Sequence, residues 1–118
     1  SVAHDLAAAH LRRGFDVVVD AVSAVEEARE GWRGLAREAG VRHLVVETRC
    51  ADPDEHRRRV TARDSDLPGL VYPDWEQVLD RMREYQPRTD DRLVVDTTRP
   101  VADCHREVAA YLTGATSA

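Results

Sequence analysis

A chain of 118 residues with 42% hydrophobic side chains is long enough to bury a core of its own without disulfide or metal staples. Its net charge of −5 argues against general affinity for nucleic acid or an acidic membrane, because the average surface would repel either. Cys50 and Cys104 show neither metal-ligand nor C-x-x-C spacing and read as reduced thiols. With no signal-peptide pattern and no apolar run of membrane-spanning length, the expected compartment is the cytoplasm.

Residues 2–13 (VAHDLAAAHLRR) are rich in Ala and Leu and lack internal Gly or Pro, so they predict a helix, with Gly14 in the position of a C-terminal cap. FDVVVD (15–20) follows at once. Its three consecutive valines break strict alternation and predict a strand covered on both faces, as in a parallel sheet flanked by helices. Over 24–40, Val25, Ala28, Trp32, Leu35, Ala36 and Ala39 recur at helical spacing. Ser23 and Glu26 form an S-x-x-E capping box before them, and Gly40 closes the segment.

VRHLVVET (41–48) predicts a second strand. Asp52 as cap, Pro53 in the first position and Glu55 in the first turn then start a helix running to about Arg63. That helix is almost wholly polar, with Val60 its one large apolar residue, and is expected to be weakly held by packing. Residues 64–73 read as a loop from their Pro and Gly, and Trp75, Val78, Leu79, Met82 and Tyr85 mark another amphipathic helix ended by Pro87. RLVVD (92–96) predicts a third strand and 99–112 a final helix, with a frayed tail over 114–118. The expected organisation is one α/β domain over 1–113 with a mainly parallel, three-layer sheet, a lid region at about 54–74 and a flexible tail.

Ligands of open parallel sheets sit outside the carboxyl ends of the strands. Asp20, residues 48–50 and residues 96–98 would line that rim, which makes Asp20 a candidate site residue; the plainer alternative is that it caps a turn or meets an arginine. All 17 basic residues are arginine, and four of them, Arg57, Arg58, Arg59 and Arg63, cluster in one helix. Arg59 and Arg63 are four apart, so both guanidinium groups can share a face and reach one polyanion, although charge runs on helices are commonly just solvated faces. His4, His10, His43, His56 and His105 show no zinc spacing, and no G-x-S-x-G nucleophile elbow is present.

In order and spacing, L-x-x-G-x-x-VVVDAVS with its Trp-bearing helix, DPDEHRRRVTAR, PGLVYPDWEQV and the final VVDTT resemble the P-loop kinases of the small AAA-type ATPase group. The relatives of that group include chloramphenicol phosphotransferase, zeta toxin, gluconate kinase and polynucleotide kinase, and the resemblance covers about residues 5–112. It implies a P-loop NTPase-like fold and transfer of the γ-phosphoryl group of ATP, with Mg2+, to a small-molecule hydroxyl acceptor. In its terms Asp20 is the base facing the acceptor, with Ser23 beside it unless Ser23 only caps its helix. Arg59 and Arg63 are the lid arginines that stabilise the transferring phosphoryl group, and the turn 97–100, with Thr97 and Arg99, lies near the nucleotide.

The chain departs from that family in having no lysine and no G-x-x-x-x-G-K-[ST], the loop that holds the phosphates and magnesium. ATP and Mg2+ would therefore be bound mainly through residues absent here, and the first strand and its loop are expected to be missing. Truncation of a longer protein and a natural remnant without catalysis are the two explanations, and truncation is the expectation. An unpaired sheet edge could be answered by a homodimer or a swapped dimer. The competing reading is a non-catalytic nucleotide-binding or oligomerising module. A phospho-aspartyl receiver or phosphatase fits less well, since Asp20 is followed by Ala21 and Val22 rather than by further acids.

Overall fold

The structure, a computed structural model, describes residues 1–63 and 67–116. Five helices and two strands follow one another as α1 (Val2–Arg12), α2 (Glu26–Ala39), β1 (Val46–Arg49), α3 (Pro53–Ala62), α4 (Trp75–Glu84), β2 (Leu93–Asp96) and α5 (Val101–Thr116). They belong to two compact units, Ser1–His43 with Tyr85–Arg88, and Leu44–Glu84 with Thr89–Ala118.

In the first unit, Ser1 caps α1 by accepting from the His4 amide, and the helix ends where Gly14 takes φ +85°. The Gly14 amide donates to Leu11 O and the Phe15 amide to His10 O, the paired bonds of a Schellman cap that only a left-handed residue permits at low cost. Helix α1 packs on α2, Ala7 of the one and Ala36 of the other are buried, and the His4 ring stacks on Trp32 at 4.1 Å. Gly40, with φ +69°, terminates α2.

Residues 15–20 are not a strand, contrary to the expectation from their valines. A strand exists only when a neighbour accepts and donates its backbone hydrogen bonds, and among the described residues this segment has no ladder partner. Its apolar side chains are correspondingly exposed, from Val17 at 36% to Val18 at 93%. The expected capping box also fails. The residue that caps α2 is Val25, in extended conformation and without a side-chain bond, while Ser23 sits at φ +46°. The Glu26 amide is satisfied by Gln86 Oε1 at 2.8 Å, so the cap comes from the 85–88 segment.

The second unit holds a two-stranded parallel sheet in which Val46 pairs with Leu93 and Arg49 with Asp96. The second predicted strand is confined to its last part, and the sheet of the described residues has two strands where three were expected. Val95 is 2% exposed, and α5 packs on β2 beside it. Asp52 caps α3 by accepting from the Asp54 and Glu55 amides, with Pro53 following, as its sequence predicts. Helix α4 starts with a reciprocal box, in which the Gln77 amide donates to Asp74 Oδ1 at 2.8 Å and the Asp74 amide to Gln77 Oε1 at 2.9 Å. Helix α5 continues to Thr116, beyond the end expected near Leu112 and into the stretch expected to fray. Residues 64–66 of the expected loop and 117–118 of the expected tail lie outside the described residues, while 67–73 carry neither helix nor strand. No helix among the described residues is long and apolar enough to cross a membrane.

Candidate functional site: an arginine-lined cleft on α3 and α4

Helix α3 has one buried apolar residue, Val60, and a face dense in charge. Glu55 organises that face. Its carboxylate accepts from Arg58 Nη2 at 2.6 Å and Nε at 2.8 Å, and from Arg59 Nε at 2.9 Å. The bonds from Arg58 first, then from Arg59, lower the Glu55 carboxyl to about 2. The other end of the Arg59 guanidinium donates to Thr97 Oγ1 at 3.3 Å, and Thr97 in turn donates through its hydroxyl to Arg49 O. Two of the predicted site residues, Arg59 and Thr97, are therefore in direct contact.

Where α3 and α4 meet they enclose a cleft of about 300 Å3, a size at the lower end for small-molecule sites. Val60, Pro73 and Val78 give it an apolar lining, and Arg59, Arg63 and Arg81 give it positive charge. His56 also lines it and meets Trp75 of α4 edge-on at 5.1 Å, a contact that ties the two helices together. Arg63 lies over the Tyr72 ring at 5.1 Å, a cation–π contact. The Arg81 side chain has no hydrogen bond or ion pair among the described residues. The arrangement can bind an anion with a small apolar body, since three guanidinium groups flank an apolar lining.

The other predicted residues are placed differently. Arg99 is ion-paired with Glu107 of α5 at 2.7 Å. Asp96, the acid at the end of β2, is a structural brace: Oδ1 accepts from Thr98 Oγ1 at 2.9 Å, the Thr98 amide at 3.0 Å and the Ala51 amide at 3.2 Å. Those bonds, the Thr98 amide foremost, hold its carboxyl below the usual range. Asp20 and Ser23 belong to the first unit. Asp20 is exposed and, among the described residues, has no hydrogen bond or ion pair. The Ser23 carbonyl accepts from Arg29 Nε at 2.8 Å.

Sequence reading did not single out His56 or Arg81 as site residues. The available signal was spacing, because Arg81 stands three residues after Val78 and so shares its helix face. The residues present fit Mg-ATP only in part. The cleft suits phosphate, but the chain has no lysine and no phosphate-binding loop motif, and among the described residues no group of three or more His, Cys, Asp or Glu could hold a metal ion.

A family model described as an AAA domain matches residues 1–88 of the 118. No curated protein and no solved structure matches the chain. By the family match, which spans the arginine cleft and everything before it, the chain belongs to the AAA-domain family of nucleotide-binding P-loop NTPases.

Proposed function

We propose that this chain is the acceptor-facing and lid portion of an ATP-dependent phosphotransferase that transfers the γ-phosphoryl group to a small-molecule hydroxyl. The observation that carries the reading is the arginine cleft of α3 and α4 in a chain of the AAA-domain family. Phosphoryl transfer asks a protein mainly for positioning and charge stabilisation, and guanidinium groups meet both needs. Arg59 and Arg63 are assigned to the transferring phosphoryl group. Arg59 is held ready by Glu55 and Thr97, so little freedom is lost when it engages an anion. Thr97 and Arg99 are assigned to the nucleotide, Arg99 exchanging Glu107 for a phosphate. Asp20, exposed and without a partner among the described residues, is assigned the acceptor hydroxyl, which it would orient and deprotonate, with Ser23 beside it. The phosphate-binding loop and the magnesium ligands are assigned to residues outside these 118.

In the complete reading frame that contains this chain, Asp20→Asn should lower phosphoryl transfer at least about 100-fold and leave ATP binding intact. Turnover at the unsubstituted rate would remove Asp20 as the base. A second reading, a non-catalytic module that assembles through its apolar segment, is favoured by the exposure of Val17, Val18, Val19 and Val22. It is tested by the state of association of the chain in solution.

A further inference from the structure

We propose that Arg81 is a phosphate-binding residue, closing with Arg59 and Arg63 a three-arginine site for a phosphate-bearing ligand in the cleft of α3 and α4. This deepens the phosphotransferase reading but does not depend on transfer, because binding is a property of the cleft alone. Two features lead to it. Arg81 lines the cleft from α4, whereas Arg59 lines it from α3 and Arg63 from the residue that ends α3, so a ligand would be gripped from both sides. Each arginine differs in how its charge is already used. Arg59 is paired with Glu55, Arg63 rests on Tyr72, and the Arg81 side chain alone of the three has no hydrogen bond, ion pair or ring contact among the described residues.

A guanidinium that is not engaged by a carboxylate retains all of its N–H donors for a ligand, and phosphate oxygens accept them in the bidentate geometry that favours arginine over lysine. Val60, Pro73 and Val78 lie beside those donors and offer an apolar surface to the body of a ligand whose phosphate the guanidinium groups hold. The ligand class is therefore phosphate, contributed either by a polyphosphate chain, as in a nucleotide, or by a monoester whose body covers the apolar lining.

The test is calorimetric titration of the 118-residue chain with tripolyphosphate and with phenyl phosphate at low ionic strength. Arg81→Gln and Arg63→Gln should each weaken binding about tenfold, the effect expected for one charged hydrogen-bonding group. Arg57→Gln removes the same charge from α3 outside the cleft and should change binding less than about twofold. Arg81→Lys keeps the charge and loses the fork, and should fall between wild type and Arg81→Gln. Tighter binding of tripolyphosphate would assign the site to a polyphosphate chain, and tighter binding of phenyl phosphate to a monoester. Absence of binding by either probe, unchanged binding in Arg81→Gln, or an equal loss in Arg57→Gln would overturn the proposal. Loss of phosphoryl transfer in an Asp20 variant with phosphate binding retained would bear on the catalytic reading and leave this site standing.

Discussion

Among the described residues the most completely buried charged side chain is Arg29, 2% exposed, and its environment explains how a cation is tolerated there. Nε donates to Ser23 O at 2.8 Å, Nη2 donates to Ala24 O at 3.3 Å and Gln86 O at 2.6 Å, and the guanidinium lies over the Tyr85 ring at 4.8 Å. Burying a charge is costly unless its donors are satisfied, and here backbone carbonyls and a π-face take that role. The carbonyls depend on Arg29 in return. Arg29→Met conserves much of the volume but removes their donor, and should cost about 3 kcal/mol in chemical denaturation. A loss below about 1 kcal/mol would mean that water or relaxation replaces the guanidinium. Arg29 stands four residues after Val25 and three before Trp32, on the apolar stripe of its helix, so the sequence did carry a sign that this arginine points inward. Nothing local in the sequence reveals that its partners include Gln86.

At the scale of elements, α3 shows what holds a helix that has almost no apolar face. Besides Val60 and the Asp52 cap, it depends on the Glu55 carboxylate bridging Arg58 and Arg59. The Glu55 carboxyl titrates lower in the folded chain, at about 2, than its ordinary value of 4.5, so its contribution is fully present above 4.5 and is lost as the pH falls toward 2. The helical circular-dichroism signal and the thermal midpoint should both decline across that window. Glu55→Gln should start lower at neutral pH and decline less steeply; an unchanged slope would show that other carboxylates govern the acid limb.

The start of α3 was legible because cap, proline and first-turn acid are adjacent in the chain. The start of α2 was not. Its cap is the Gln86 side chain, sixty positions from Glu26, and the local S-x-x-E pattern pointed to Ser23 instead. The same distinction separates the two apolar runs. RLVVD became β2 because residues 46–49 lie alongside it, whereas FDVVVD, the more valine-rich of the two, has no neighbour among the described residues to pair with. Apolar content indicates that a segment suits a strand, but a partner makes it one. For the site, Arg59 and Arg63 were legible as an i, i+4 pair, while Arg81 enters only because α4 folds against α3.

For the molecule as a whole, the apolar surface is distributed unevenly between what is buried and what is exposed. Among the described residues the buried apolar set consists of Ala7, Ala36, Val60 and Val95, whereas Phe15, Val17, Val18, Val19 and Val22 form a nearly continuous exposed run. A run of this kind, with high β-propensity and no ladder partner among the described residues, is a template for pairing with another chain. The unsubstituted 118-residue chain should therefore associate as its concentration rises, which sedimentation velocity would report as a shift to faster boundaries. Val18→Asp places a charge where the side chain is already 93% exposed, so it removes almost no burial and should alter stability by no more than about 0.5 kcal/mol. The same charge should suppress association, because repeated carboxylates across a paired segment repel. Val95→Ala is the counterpart, costing about 2 kcal/mol through lost burial and an unfilled cavity while leaving association unchanged. If the unsubstituted chain sediments as a monomer at all concentrations, the exposed valines do not drive assembly and the oligomerising reading falls, leaving the arginine cleft as the chain's one supported functional surface.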